Sequence, residues 1–302
     1  MSALVSRYLT PLTIILSIAL GFSLPQVGLI WKPYLSVLLM LLMFFVALDI
    51  EPNEIASATR TYPVIMMGLF TAFILVPVMA LPAKPFVSSI VYAGIILALC
   101  CPSAIVSAFW AKAFRGDIAT ALVMSITTNL LSIITVPATM LIAVGTVLNV
   151  NIASMMLNLA EIILVPMVAS FLLRRFVHLD WNRASPFSSK AELCILALLV
   201  WGSIAPGVEY VRNDIAEFVF LNIFMLGILA LAWTLTHFLT RRFGHKKAVS
   251  LEIATTVKNA ALSLVVGLTA FGPQSARILP PLIANLIAQN LLVISARELT
   301  NE

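Results

Sequence analysis

The sequence predicts an all-α integral membrane fold with ten transmembrane helices, and three observations support that prediction. Hydrophobic residues make up 61% of the 302 residues and charged residues only 10%. A soluble domain with so few charges could not cover its apolar surface. Apolar runs of about 20 residues, the length that crosses about 30 Å of hydrocarbon, follow one another along the chain. Basic residues collect in alternate connections between these runs.

The apolar runs are numbered as spans 1 to 10 in chain order. They cover residues 8–24, 31–48, 62–81, 86–114, 118–145, 152–176, 189–205, 215–240, 247–271 and 277–297. Span 1 is predicted to be a retained helix and not a signal peptide, because its middle is polar and no small-residue cleavage site precedes Pro25. The connections are short, so residues 1–302 are predicted to form a single membrane domain.

The basic residues are divided unequally between the two sides of the membrane that ten spans define. One side receives 13 of the Lys and Arg residues: Arg7, Arg60, Lys112, Arg115, Arg174, Arg175, Arg183, Lys190, Arg241, Arg242, Lys246, Lys247 and Arg297. The other side receives Lys32, Lys84, Arg212 and Arg277. Because basic residues favour the cytoplasmic side, both termini are predicted to be cytoplasmic in an inner (plasma) membrane. The same distribution explains the net charge of +5, so no nucleic-acid partner is predicted.

Two spans are long and interrupted by polar or helix-breaking residues. Span 4 contains Pro102 within the run from Cys100 to Ser107, and span 9 contains Lys258 and Asn259. Proline removes a backbone donor and clashes with the preceding turn, so the helix should kink or unwind there. Backbone groups freed in this way cannot face lipid and must line a cavity or find protein partners.

Spans 4 and 9 occupy corresponding places in two five-helix halves, residues 1–145 and 152–297. Because five is odd, the second half crosses the membrane in the opposite sense to the first. Discontinuous helices at matched positions of inverted halves indicate a midplane substrate site in a secondary transporter. The amino ends of the half-helices would present positive potential to an anion. The alternative is a proline kink beside a tolerated polar patch.

Polar residues near the two breaks are the candidate binding residues. The predicted substrate-binding set is Ser103, Thr128, Lys258, Asn259, Gln289 and Asn290. Lys258 is the most informative, because an ammonium group inside a span is costly and usually faces a cavity or a partner. Hydroxyl and amide side chains have an alternative role in interhelical hydrogen bonds. Further polar residues in the spans are Thr127, Asn129, Glu161, Glu252 and Asn285.

Several segments resemble the bile acid:sodium symporter family, which is grouped with arsenite exporters and auxin-efflux-type carriers. The resemblance covers nearly the whole chain. Its segments are Leu42–Leu48, Cys100–Ser103 continuing to Arg115–Asp117, Thr135–Pro137, Asn259 and Gln289–Asn290. It implies a core domain of helices 3–5 and 8–10, in which the broken helices cross, and a panel domain of helices 1, 2, 6 and 7. It also implies alternating access for organic anions driven by two sodium ions.

The positions that correspond to the family's sodium ligands differ in this chain. At the first site Ser107 is kept, the adjacent asparagine is Ala108, the two hydroxyls of helix 5 are Ala121 and Ser125, and the shared glutamate is Ala254. At the second site the two glutamines are Ala72 and Lys258. Glu252 lies two residues before the glutamate position. Alanine side chains supply no ligand oxygen, whereas a lysine supplies a positive charge.

These differences motivate the hypothesis that Lys258 substitutes for sodium, which leaves transport proton-coupled or uncoupled. The candidate residues for a coupling ion or a proton are Lys258, Glu252, Ser107 and Ser125. Lys258 is interpreted either as a fixed counter-charge or as a proton carrier. No metal site or cofactor is predicted, with a sodium ion as the one possible bound species.

The predicted function is secondary active transport of a small organic anion. The alternatives are an exporter of arsenite or another oxyanion that uses Cys100 and Cys101, and a ligand sensor that does not transport. An enzyme is not predicted, because the sequence shows no nucleophile–base pair, and the histidines lie in or near cytoplasmic connections. Those histidines are His178, His237 and His245. The expected partners are the lipid bilayer and the anion, and the expected state is a monomer or a weak homodimer.

Overall fold

The computed structural model describes residues 3–48, 62–104, 106–145, 151–177 and 181–300. Among these residues the regular structure is helical, apart from one isolated antiparallel bridge between Ser103 and Lys258. Arg60 and His178 lie outside the described residues.

Among the described residues, the first half of the chain contains seven helices. They are α1 (Ala3–Ser23), α2 (Pro25–Trp31), α3 (Leu35–Leu48), α4 (Tyr62–Phe70), α5 (Ser89–Cys100), α6 (Ser107–Ala113) and α7 (Ile118–Val144). Helix α4 continues into a π-helical segment, Thr71–Leu75, and one further α-helical turn, Val76–Val78. A π-helical segment of this kind often marks a functional position in a helix.

The second half of the chain also contains seven helices among the described residues. They are α8 (Ile152–Phe176), α9 (Trp181–Ile204), α10 (Val208–Asn213), α11 (Ile215–Thr240), α12 (His245–Thr256), α13 (Ala260–Ala270) and α14 (Leu279–Thr300). Helix α9 begins eight residues before the predicted start of span 7, so the polar segment that precedes this span is also helical.

Seven stretches of the described chain are long and apolar enough to cross a membrane. They are Pro25–Leu48, Tyr62–Ala83, Ile118–Val144, Ile152–Phe176, Lys190–Asn213, Ile215–Phe243 and Leu279–Ala296. Three shorter apolar helices, Leu12–Ser23, Ser89–Cys100 and Ala260–Ala270, lie within predicted spans 1, 4 and 9. The protein is therefore a multi-pass membrane protein.

Asparagine, aspartate and serine side chains begin several of the long helices. The Asp117 carboxylate accepts from the Ala119 N–H at the start of α7, and the Asp214 carboxylate accepts from the Glu217 N–H at the start of α11. Caps of this kind satisfy backbone donors that have no partner inside the helix and stabilise it by about 1 kcal/mol. They account for the sharp helix starts next to short connections.

The two interrupted spans are each divided into two helices. Span 4, expected over 86–114, forms α5 and α6, because Pro102 cannot donate to the helix ladder. Span 9, expected over 247–271, forms α12 and α13, which are separated by an extended Val257 and by Asn259 as the N-cap of α13. Both spans are therefore divided at the positions where the sequence predicted an interruption.

The helix contacts fall into two groups that meet along a limited surface. In one group α1 packs against α9, and α3 packs against both α8 and α9. In the other group α11 packs against α12 and α14, while α7 packs against α5, α6 and α12. The groups touch where α7 meets α8 and where α13 meets α3, α8 and α9.

Glycines allow the half-helices α5 and α13 to approach α14 closely. A Cβ atom added at Gly94 of α5 would lie 2.7 Å from the Ile278 carbonyl oxygen. A Cβ atom added at Gly267 of α13 would lie 2.7 Å from Leu282 Cδ1 and 3.2 Å from Ile278 Cγ2. Ile278 therefore lies between the two half-helices and fixes their distance from α14.

We expect Gly94→Ala to lower the free energy of unfolding by about 1–3 kcal/mol, because the added methyl group overlaps a backbone carbonyl that cannot turn away. The measurement is the thermal-unfolding midpoint of the purified protein in detergent. Gly227→Ala in α11 is the matched control, since a Cβ atom at Gly227 meets nothing within 4 Å. Equal midpoints for the two variants would show that the α5–α14 contact is looser than the geometry indicates.

Candidate functional site

The two helix breaks, the first at Ser103 and the second at Lys258, cross and exchange backbone hydrogen bonds. The Ala104 N–H donates to the Val257 carbonyl oxygen at 2.9 Å, and the Asn259 N–H donates to the Pro102 carbonyl oxygen at 2.8 Å. Ser103 and Lys258 thereby form a one-residue antiparallel bridge. Each break thus supplies partners for backbone groups that the other break has released.

Two neighbouring side chains of α7 clamp the first break. The Ser103 N–H donates to Thr128 Oγ1 at 3.1 Å, and Asn129 Nδ2 donates to the Ser103 carbonyl oxygen at 3.1 Å. Thr128 and Asn129 are both buried. Side chains of α7 therefore replace the helical partners that the backbone of Ser103 has lost.

One side chain of α14 clamps the second break in the same manner. The Lys258 N–H donates to Gln289 Oε1 at 2.9 Å, and Gln289 Nε2 donates to the Lys258 carbonyl oxygen at 3.2 Å. The amide of Gln289 therefore satisfies both backbone groups of Lys258. In each half of the chain, the long helix that follows a break holds that break.

Asn259 connects the two clamps. Its Oδ1 atom accepts from the Leu262 N–H at 3.1 Å and so caps the first turn of α13. Its Nδ2 atom donates to Asn129 Oδ1 at 3.4 Å. Asn259 therefore links the amino end of α13 to the side chain that holds the opposite break.

The Lys258 side chain extends from the crossover to the π-helical segment that follows α4. Its Nζ atom donates to the Ala72 carbonyl oxygen at 2.9 Å, and the residue is completely buried. Ala72 and Lys258 are the two positions at which the resemblance places the glutamines of the second sodium site. Beside this contact, the hydroxyl oxygens of Thr71 and Thr255 lie 2.9 Å apart. The sequence indicated Lys258, but it gave no sign that a backbone carbonyl would be its partner.

Three serine side chains lie close together at the first break. Ser103 Oγ donates to Ser107 Oγ at 3.2 Å, and Ser125 Oγ donates to the Ser103 carbonyl oxygen at 3.4 Å. All three residues are buried. The structure therefore brings Ser107 and Ser125, two of the predicted coupling-ion residues, to the crossover.

Glu252 makes its side-chain contact with a neighbouring helix. Its carboxylate Oε1 lies 2.8 Å from Nδ1 of His237 on α11, and Glu252 is buried while the His237 side chain is 45% exposed. This side-chain contact joins α11 to α12. His237 was predicted to lie in or near a cytoplasmic connection, and this pairing was not predicted, since residues 15 positions apart on different helices give no local pattern.

Asn290 is the member of the predicted substrate-binding set whose hydrogen bond stays within its own helix. Its Nδ2 atom donates to the Leu286 carbonyl oxygen at 2.7 Å, and the residue is half-buried. Cys100 and Cys101 are completely buried at the end of α5, beside the first break, whereas Cys194 is exposed. Among the described residues, no group of three His, Cys, Asp or Glu side chains is arranged to hold a metal ion.

A small cavity of about 30 Å³ lies between α3, α7 and α8, next to the first clamp. Its lining is mostly apolar, and its polar members are Ser125 and Asn129. The residues that line it are Met43, Val46, Ala47, Leu122, Ser125, Ile126, Asn129, Ile163 and Met167. The cavity lies at the boundary between the two groups of packed helices, and its lining residues Ser125 and Asn129 also contact the first break.

Crossed, interrupted helices that hold polar groups inside a multi-pass membrane protein define a transport protein. The model of the sodium bile acid symporter family matches residues 36–213, which is more than half of the chain. The chain therefore belongs to that family, in agreement with the resemblance seen in the sequence. Its members are transporters and not enzymes, so the protein is a transporter of the bile acid symporter type.

Two proteins of Bacillus subtilis (strain 168) are similar to this chain along most of its length. The uncharacterized protein YbaS is 24% identical over 239 residues, which are 75% of each chain. The uncharacterized sodium-dependent transporter YocS is 20% identical over 272 residues, which are 87% of this chain and 82% of YocS.

We expect Gln289→Leu to destabilise the protein, because the buried N–H group of Lys258 then loses its partner, at about 1–3 kcal/mol, while the Lys258 carbonyl oxygen keeps only the Ala260 N–H. The thermal-unfolding midpoint in detergent measures this loss. Asn290→Leu on the same helix is the control, and it should change the midpoint much less because Asn290 bonds only its own helix in the structure. A Gln289→Leu variant as stable as the wild type would show that the clamp contributes nothing.

Proposed function

We propose that the protein is a secondary active transporter that moves a small organic anion by alternating access, with the Lys258 ammonium group in the place of a coupling sodium ion. The observation that carries the proposal is the contact between Lys258 Nζ and the Ala72 carbonyl oxygen at 2.9 Å. These residues stand where the family resemblance places two sodium ligands. A backbone carbonyl is also the kind of oxygen that coordinates a cation beside a broken membrane helix.

The charge of Lys258 supports the proposal. Among the residues that the structure describes, the partner of the Lys258 ammonium group is the Ala72 carbonyl oxygen, and no acidic side chain pairs with it. An ionised group in a dry interior requires a compensating charge. An anionic substrate near the crossover would provide that compensation and would be held by the positive amino ends of α6 and α13. Ser103, Thr128, Asn259, Gln289 and Asn290 are the proposed polar surroundings of this substrate.

The proposed architecture is ten membrane-crossing helices in two inverted repeats, residues 1–145 and 152–297. The matched clamps support it, since Thr128 and Asn129 hold the break of the first repeat as Gln289 holds that of the second. The two groups of packed helices support a core domain that moves against a panel domain made of predicted spans 1, 2, 6 and 7. The cavity at their boundary supports a substrate path between them.

An arsenite or oxyanion exporter is the second candidate function. The observation in its favour is the buried pair Cys100 and Cys101, which ends α5 directly before the crossover. A non-transporting ligand sensor with the same binding site is the third. An oxyanion exporter should be stabilised by arsenite or antimonite in a ligand screen, whereas a sensor should bind its ligand but give no uptake in proteoliposomes.

We expect both termini to lie in the cytoplasm of a cell whose inner membrane contains the protein. A green fluorescent protein fused to the C-terminus should therefore fluoresce, and an alkaline phosphatase fused there should be inactive. Fusions made after Lys84, in a predicted outer connection, should give the opposite pattern. Phosphatase activity at the C-terminus would contradict the topology.

We expect Lys258→Ala to abolish or uncouple transport while the protein stays folded. The substrate is first sought by thermal shift of the purified protein with organic acids, bile salts, arsenite and antimonite, each with and without sodium. Uptake of the anion that stabilises the protein most is then measured in proteoliposomes. Lys84→Ala is the control, because Lys84 is exposed and lies in a connection. Wild-type uptake by Lys258→Ala would refute the role of the lysine.

We expect uptake by the wild type to be independent of sodium, because the lysine supplies the positive charge permanently. The initial rate is measured with sodium replaced by potassium or choline at constant ionic strength. The relative YocS is described as sodium-dependent, so sodium coupling is the alternative that this experiment addresses. A steep rise of the rate with sodium would contradict the proposal and would indicate ligands such as Ser107 and Ser125.

A further inference from the structure

Glu161 lies on the face of α8 that points away from the rest of the protein. The residues of α8 that pack inward include Leu159, Ile162, Ile163 and Pro166, which are all buried. At about 100° per residue these positions share one side of the helix, and Glu161 lies about 200° around from Leu159. Glu161 is exposed in the single chain. Its carboxyl group therefore faces the surroundings of the protein and not the cavity between α3, α7 and α8.

The position of Glu161 along α8 places it deep in the hydrocarbon layer. Arg174 and Arg175 end the helix at one interface. Glu161 is 13 residues before Arg174, or about 20 Å along a helix that rises about 1.5 Å per residue. A carboxyl group at such a depth is costly in contact with lipid, and intramembrane carboxylates almost always face protein or water.

The neighbouring polar residue on α8, in contrast, has a hydrogen-bond partner within the chain. Asn158 Nδ2 donates to Thr269 Oγ1 of α13 at 2.8 Å, so its polar group is satisfied within the chain. Among the described residues, no hydrogen bond or ion pair to Glu161 is present. The unpaired carboxyl group requires a partner from outside the single chain.

The residues around Glu161 form a stripe with a seven-residue repeat. Ser154, Glu161 and Val168 are spaced by seven, as are Leu157, Leu164 and Phe171. The apolar members are exposed, with 72% for Leu157 and 61% for Phe171. Two interleaved positions that repeat every seven residues are the pattern of a left-handed helix pair, in which one polar residue fixes the register.

We propose that this stripe of α8 is the interface of a homodimer, in which the Glu161 carboxyl groups of two copies hydrogen-bond to each other. Two copies inserted in the same direction are related by an axis along the membrane normal, so identical stripes meet in parallel. Such a stripe is complementary to itself. A hydrogen bond between the two groups requires an O–H donor on one of them, because carboxylate oxygens only accept. The proposal does not depend on the substrate or on Lys258.

Cysteine cross-linking in native membranes tests the contact directly. Leu157→Cys, Leu164→Cys and Phe171→Cys are made in a Cys194→Ala background, because Cys194 is exposed. We expect each of the three to form disulfide-linked dimers under mild oxidation. Leu231→Cys on α11, a residue 52% exposed, is the matched control and should remain monomeric. Equal cross-linking at Leu231 and at the α8 positions, or none at α8, would overturn the proposal.

Two substitutions of Glu161 test the hydrogen bond itself. Dimerisation of the purified protein is measured by energy transfer between labelled copies at decreasing density in lipid vesicles. We expect Glu161→Gln to dimerise like the wild type, because amides also donate and accept. We expect Glu161→Leu to raise the dissociation constant about tenfold, as for the loss of one interhelical hydrogen bond in a membrane. If Glu161→Leu leaves dimerisation unchanged, or if the wild type is monomeric at all densities, the carboxyl group faces lipid and the proposal is wrong.

Discussion

The structure depends on the exchange of backbone hydrogen bonds between two broken helices inside a membrane. Pro102 and the residues around Lys258 release N–H and C=O groups where no water is available to pair with them. The bridge between Ser103 and Lys258 and the clamps from Thr128, Asn129 and Gln289 return a partner to these groups. The breaks therefore persist without a penalty for unpaired backbone, and each half-helix ends at the crossover with its dipole directed into the protein.

This arrangement explains the position of the one buried lysine at the crossover. Gln289 holds the backbone of Lys258, and the Lys258 side chain extends toward the neighbouring helix, where the π-helical segment presents the Ala72 carbonyl oxygen. A positive charge is thus held at a defined place between helices that belong to different halves of the chain. In the proposed function, this charge takes the place of a bound cation and attracts the anion.

Much of this organisation was predictable from the sequence, and the remainder was not for identifiable reasons. Span positions, the breaks at Pro102 and Lys258, and the family followed from hydrophobic length, proline chemistry and short motifs. The division of spans 4 and 9 into two helices each was predicted, but the end of each half-helix was not, because an apolar run continues on both sides of a break. The pairing of Glu252 with His237 was missed because it joins two helices. The hydrogen bond from Asn290 to the Leu286 carbonyl oxygen of its own helix was also not predicted.

The sequence by itself determined that the chain resides in a bilayer, where its helices break and which residues carry charge at those breaks. Composition and backbone chemistry decide these features locally, within each span. Only the tertiary structure decided which partners the polar groups receive, since hydrogen bonds between Lys258 and Ala72, or between Ser103 and Thr128, join residues distant in the chain. The tertiary structure also decided that Glu161 points outward, because the inward face of α8 is defined by the helices that pack against it.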